Sequence, residues 1–177
     1  MDNFEVRDIL KTFRILVDTR EQNTQKAQER YESFGVPVER CVIDYGDYCA
    51  NITLASGDLY DTSVRVRPAC CVERKMSLDE LAMCFTRHRD RFEREFIRAS
   101  KAGAKIFLLV EGASWEAIIN HRYRSQYHPN AMVGSIVAWA IRYGMTPIFC
   151  KSGTSGRVIK EILYRDIKER LENGEYG

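Results

Sequence analysis

Residues 69–80 read A-C-C-V-E-R-K-M-S-L-D-E, and the division of this stretch into strand, charged end and helix start decides the architecture. Residues 69–74 read as a strand, with Glu73, Arg74 and Lys75 gathering charge at its end. Ser77-Leu78-Asp79-Glu80 then matches a capping box, hydroxyl first and carboxylate three residues on, so a helix starts at Ser77. Upstream, residues 13–18 (FRILVD) form a buried first strand, and 23–34 a short polar helix ended by Gly35 and Pro37. Residues 38–43 and 45–54 are strands meeting at a Gly46 turn, with a Ser56-Gly57-Asp58 loop after them. Downstream come a helix over about 90–101, a continuously apolar central strand at 105–110, and helices around 113–121 and 130–142. A strand at 146–150 and an amphipathic helix over about 155–172 complete the order. This succession predicts one α/β domain, a mixed central sheet flanked by helices.

The composition agrees with a single domain over residues 1–177. The chain is 45% apolar and 29% charged, enough to bury a core without disulfides or metals as staples. Apolar periodicity running almost end to end excludes disorder. No stretch of about 18 uncharged apolar residues exists, which excludes a membrane helix. The start, MDNFEVRDILKTFR, alternates acids and bases and lacks a signal-peptide core. Six cysteines, at 41, 49, 70, 71, 84 and 150, include no C-x-x-C pair and no zinc-ligand spacing. They are expected to be reduced, largely buried thiols of an intracellular protein, with Cys70 and Cys71 on opposite faces of their strand. The three histidines, 88, 121 and 128, have no ligand-like spacing.

Chemistry concentrates where strands end. Asp18 closes the first strand, Glu21 follows in D-T-R-E, and Asp47 follows Gly46 in Y-G-D-Y. Residues two apart in a strand share a face, so Glu73 and Lys75 project together while the Arg74 side chain points away and leaves its carbonyl nearby. Carboxylates gathered in one site repel one another and raise each other's pKa values, and a divalent cation removes that repulsion. An all-oxygen shell suits Mg²⁺ or Mn²⁺ rather than Zn²⁺. Such an ion polarises a phosphoryl oxygen and lowers the pKa of a bound water. Lys75 is then placed to orient that water or to stabilise charge developing on phosphorus. Taken singly, each residue has a plainer reading. Asp18 and Asp47 also suit turns, Glu73-Arg74-Lys75 suits a solvated strand end, and Asp79 suits the dipole of the helix it opens.

The ordered set Gly46-Asp47, Glu73-Arg74-Lys75 and Asp79, preceded by D-T-R-E at 18–21, resembles the signature of the XPF/Mus-type structure-specific endonucleases. These belong to the restriction-endonuclease-like superfamily, with its PD-(D/E)-x-K site. The resemblance covers a nuclease core of about residues 13–150. It implies a restriction-endonuclease-like mixed sheet flanked by helices and a Mg²⁺- or Mn²⁺-dependent DNA endonuclease acting on branched or flapped DNA, in repair or recombination. It further implies Asp47 and Glu73 as metal ligands, completed by the Arg74 carbonyl, and Lys75 as the catalytic lysine. Asp18 and Glu21 become further acidic residues of the metal site, Asp79 a supporting carboxylate, and the Arg74 side chain a stabiliser or phosphate contact. The alternative is a catalytically silent nuclease-like module that binds DNA or a partner protein.

Charge placement bears on the same question. A balance of 27 basic against 25 acidic residues is not that of a domain built chiefly as a nucleic-acid clamp. Yet residues 85–124 hold nine basic and five acidic side chains, which leaves the remainder net acidic. Arg87, Arg91, Arg94 and Arg98 are spaced four, three and four, a stripe at the helical repeat and a candidate DNA face. A solvated helix with ordinary ion pairs is the plainer alternative. Arg122 and Arg124, interleaved with His121 and Tyr123, form a second candidate DNA contact or a plain surface loop. The sequence has no G-x-G hairpin motifs of the tandem helix-hairpin-helix module that eukaryotic relatives usually carry. A homodimer or a partner is therefore expected to supply a second grip on DNA; the resemblance implies dimerisation through the nuclease domain, which makes helices 130–142 and 155–172 a candidate interface, with plain core as the equal alternative for their apolar faces. An intracellular location is expected, cytoplasmic or nucleoid-associated if the protein is prokaryotic or from a phage.

Overall fold

A computed structural model describes residues 2–176. The elements run α1 (Asn3–Leu10), β1 (Arg14–Asp18), α2 (Gln25–Phe34), β2 (Val38–Ile43), β3 (Tyr48–Asn51), β4 (Arg65–Val66) and β5 (Cys70–Lys75). They continue with α3 (Leu78–Phe85), α4 (Arg89–Lys101), β6 (Lys105–Glu111), α5 (Trp115–Ile119), α6 (Pro129–Tyr143), β7 (Thr146–Cys150) and α7 (Ser152–Glu172). Seven strands form one mixed sheet in the order β4-β2-β1-β3-β5-β6-β7. Of these, β3 runs antiparallel to its neighbours β1 and β5, and the other pairings are parallel.

The strand alternation of β5 divides the protein into two cores. Cys71 faces a cluster with Leu16, Leu108, Phe92, Phe96 and Trp139, beneath α3, α4 and α6. Cys70 and Val72 face the opposite cluster, with Ile15, Val17, Phe34 and Leu163, beneath α1, α2 and α7. All six cysteines are free thiols. Ser77 caps α3 by accepting the Glu80 N–H, one half of the capping-box pattern, while the Glu80 carboxylate reaches back to the Met76 N–H and not to that of Ser77.

Two elements are additional to the sequence reading. Helix α1 opens on Asp2, whose side chain accepts from Phe4 and Glu5 N–H while Glu5 reaches back to the Asp2 N–H. Its signal was an Asp variant of the capping box in a stretch that otherwise reads as alternating charge. Strand β4 is two residues long, too short to carry any periodicity, and exists through its pairing with β2. Strand β3 is shorter than the predicted 45–54, because Gly46 and Asp47 belong to the turn before it.

Candidate active site

Strands β1, β2, β4, β5 and β6 all point their carboxyl ends to one rim of the sheet, and β3 begins there. Ligands of open α/β sheets collect outside the carboxyl ends of strands. Asp18, Lys75 and Glu111 close β1, β5 and β6 on this rim, and Asp47 precedes β3. The cleft there has a volume of about 540 Å³.

Gly46 sets the position of Asp47. Its φ is +79°, and a Cβ built on it would lie 2.8 Å from the Cys71 Cβ. Both the left-handed backbone and the close approach to β5 require glycine. Asp47 then ties two strands together: its N–H donates to the Val72 carbonyl and its own carbonyl accepts from the Asp18 N–H, each at 2.9 Å. One carboxylate oxygen of Asp47 accepts the Arg74 N–H at 2.8 Å.

On the α3/α4 side of the sheet, Lys75 Nζ lies 2.5 Å from Glu73 Oε1 and 4.8 Å from the centre of the Phe92 ring. The second Glu73 oxygen is buried with no hydrogen-bond partner. Burial and the neighbouring Glu73 push the Asp47 carboxyl up to about 8. Burial also raises Glu73, against the pull of Lys75. Desolvation works against the Lys75 charge, but Glu73 and Asp47 outweigh it, so its pKa lies above the ordinary lysine value.

On the other side, alternation sends Arg74 into a buried ionic network. Arg74 donates to Glu21 at 2.8 Å and reaches Glu111 at 3.4 Å. Arg30 bonds the Tyr48 hydroxyl at 3.0 Å and lies 3.4 Å from both Glu21 and Glu111. The Tyr48 hydroxyl in turn donates to Glu21 at 2.9 Å.

A family model for the ERCC4 domain matches residues 17–162. The chain belongs to the ERCC4 domain family. Among solved structures, XPF from Aeropyrum pernix matches with a TM-score of 0.60 and 23% identity, over 86% of this chain and 61% of that one. XPF from Aeropyrum pernix in complex with DNA matches with a TM-score of 0.60 and 24% identity, over 89% and 66%. This ERCC4 domain thus spans less than two thirds of the length of those structures, and it has the fold of an XPF-type nuclease domain. No curated protein sequence matches it.

Within the ERCC4 domain, the cleft gathers Glu21, Asp47, Glu73, Arg74, Lys75 and Arg91. Asp18 is not open to a ligand in this structure. Its carboxylate is buried, one oxygen accepting the Arg20 N–H and Nε at 2.7 Å, the other the Ile43 N–H at 2.8 Å. Glu21, which lines the cleft, commits one oxygen, Oε1, to Arg74, Arg30 and Tyr48. Asp79 lies outside the cleft lining and holds a loop, accepting the Arg124 and Ser125 N–H groups at 2.8 Å. Arg124 is thereby paired with Asp79, and Arg122 is exposed. Arg87 falls in the turn before α4, not on the helix; Arg91 lines the cleft and Arg94 is exposed outside it. Arg98 turns to the Asp44 carbonyl.

Four further side chains build the rim and were not singled out from sequence. Arg20 sits inside the D-T-R-E motif, two residues from the carboxylate it covers. Glu111 closes its strand as Asp18 does, one residue beyond the predicted end of that strand. Arg30 is buried with Ala27 and Phe34 on one face of α2, in a helix whose sequence reads only as polar. Asp44 had no signal of its own.

The residues present fit a hard divalent cation at fewer points than the acidic count implies. Among the described residues, no three Asp, Glu, His or Cys side chains converge as one metal site. What remains is the pair Asp47 and Glu73, mutually repelling, with a desolvated Glu73 oxygen free of protein partners. An all-oxygen pair of this kind suits Mg²⁺ or Mn²⁺.

Proposed function

We propose that this ERCC4 domain is a Mg²⁺- or Mn²⁺-dependent endonuclease that hydrolyses phosphodiester bonds in branched or flapped DNA. The observation that carries the reading is the unpartnered, buried Glu73 oxygen in a cleft shared with Asp47 and Lys75. Asp47 and Glu73, with the Arg74 carbonyl, would hold the cation, which when bound polarises phosphate and acidifies a water. Lys75 is kept charged by Glu73 and aligned over Phe92, leaving N–H donors for a phosphate oxygen or the attacking water. DNA as the partner is supported by the fold shared with an XPF solved in complex with DNA. Roles in repair or recombination and an intracellular location complete the reading, with residues 1–177 acting as one nuclease domain.

The test is a panel of labelled flap, fork, junction and linear duplexes, incubated with and without Mg²⁺. Branched substrates are expected to be cut and linear duplex spared. No metal-dependent cleavage by folded protein would leave the silent, DNA- or partner-binding module in its place.

The raised Asp47 carboxyl gives the metal a pH dependence. Its folded-state value lies above the ordinary carboxylate range, so the metal-free fold is destabilised as pH rises through that interval, up to about 8. A cation displaces the proton instead. Mn²⁺ affinity is expected to climb about tenfold per pH unit and then level off once Asp47 is ionised. Calorimetry in buffers of different ionisation enthalpy should show about one proton released per ion near neutral pH. A pH-independent affinity would remove Asp47 from the ligand set.

The homodimer expected from the resemblance has a candidate surface on α6, where Val137 and Ile141 are exposed, Ile141 to 82%. Ile141→Asp is expected to shift sedimentation from dimer to monomer. A wild-type chain that sediments as a monomer at tens of micromolar would refute the surface.

A further inference from the structure

The arginines of α4 do not end at the cleft. Asp44, directly after β2, is only 9% exposed and carries three guanidinium groups. Arg65 Nη1 lies 3.1 Å from its carboxylate and Arg67 Nε 3.4 Å. Arg98 donates to the Asp44 carbonyl at 2.8 and 3.1 Å, with its Nε 3.8 Å from the carboxylate. A second acid, Glu95, lies 4.0 Å from Arg98, but it already pairs with Arg20 at 3.1 Å. Three positive charges thus converge on one carboxylate, while the side chains of Arg65 and Arg67 remain 62% and 74% exposed.

Stability alone does not account for this arrangement. Exposed ion pairs contribute little, and the second and third guanidinium repel the first. Asp44 instead gathers three flexible side chains, Arg65 and Arg67 on its carboxylate and Arg98 on its carbonyl, and leaves the first two largely in solvent. Planar guanidinium forks so arranged match phosphate oxygens.

Asp44 and Arg67 follow the carboxyl ends of β2 and β4, on the rim that carries Asp18, Asp47 and Lys75. Between cleft and cluster lies Arg20, half exposed, with Nη2 on the Ile43 carbonyl at 3.3 Å. From β3 to the edge strand β4 is three strand spacings, about 14 Å, or about four base-pair rises of duplex. A line of arginines, Arg91, Arg20, Arg98, Arg65 and Arg67, therefore leaves the acidic cleft along the sheet rim.

We propose that Arg65, Arg67 and Arg98, organised by Asp44, form a cradle for the phosphate backbone of the duplex arm that leaves the cleft toward β4. This rests on the nuclease reading above for the presence of DNA in the cleft. The acidic centre then holds the scissile bond, and the cradle fixes the direction of the arm beside it.

The test uses the whole chain in EDTA, so that nothing is cut, with a fluorescent flap substrate whose affinity is measured across a KCl series. Arg65→Ala with Arg67→Ala is expected to lower affinity about tenfold and to shallow the slope of log affinity against log salt by about 1–2, near 0.9 for each phosphate no longer neutralised. Arg65→Lys with Arg67→Lys, which keeps both charges, is expected to retain most of the wild-type slope. An alanine pair with the wild-type slope overturns the cradle and leaves the nuclease reading standing. A lysine pair whose salt slope falls as far as that of the alanine pair also overturns it, since the slope then does not follow the charges at these positions. A wild-type chain that binds no DNA overturns both.

Discussion

Asp47→Asn and Glu73→Gln are each expected to lower Mg²⁺-dependent cleavage of branched DNA by about a thousandfold, while DNA affinity in EDTA changes by less than about threefold. Each exchange keeps the side chain's shape and removes one negative charge from the carboxylate pair in the cleft that is not consumed by arginines. The two variants should part company in stability. Asp47 carries a raised pKa, caused by burial and the charge of Glu73, so an amide there relieves repulsion and should raise the melting temperature of the metal-free protein above neutral pH. Glu73 is the counter-ion of Lys75, which is buried and charged. Glu73→Gln strands that ammonium, and breaking a buried pair from one side costs about 3–5 kcal/mol. The combination to look for is therefore two dead enzymes, one more stable than wild type and one less. Cleavage within tenfold of wild type for Asp47→Asn would sink the assignment of the metal to this pair.

The sequence made some of this geometry legible and hid the rest for identifiable reasons. Strand periodicity was enough to put Glu73 with Lys75 and to turn Arg74 away, because β5 is regular and its two faces meet different cores. The Gly46 turn was legible too, although its second cause, contact with Cys71, needs the packing of β5 against it. Asp18 shows where residue type misleads. Its position at a strand end is that of a ligand, but the arginine two residues on closes over it, and no spacing rule distinguishes a carboxylate offered to a cation from one held by a neighbour. Arg98 was legible only in part: helical spacing puts it on one stripe with Arg91, while the Asp44 carbonyl that positions it lies 54 residues away in sequence. Long-range partners of long side chains are invisible to local pattern. The same holds for Glu111 and Arg30, which gain their meaning from a network spanning β6, α2 and β5.

That network yields the second large effect. Arg74→Met is expected to destabilise the domain by about 3–5 kcal/mol, or roughly 10 °C for a chain of this size. The reason is a count of charges in a confined space. Arg74 and Arg30 face Glu21 and Glu111, two cations on two anions, with Arg74 14% and Glu111 6% exposed. Methionine fills much of the same volume but leaves Arg30 alone between two carboxylates. Some polar atoms that would remain, among them Arg30 Nε and Glu111 Oε1, already lack hydrogen-bond partners, so the network is under-satisfied before a cation is taken from it. Removing one anion together with the cation should restore balance: Arg74→Met with Glu111→Gln is expected to recover a good part of the stability, a coupling that a double-mutant cycle measures directly. The same pair of variants separates two roles for Arg74 that the E-R-K motif alone cannot. A side chain whose main duty is to contact the scissile phosphate would lose cleavage on replacement by Met yet melt like wild type, and the added Glu111→Gln change would recover nothing. A side chain that holds the floor of the site loses stability first, and its double variant regains both melting temperature and part of its cleavage, because Asp47 receives its hydrogen bond from the Arg74 backbone and not from the guanidinium.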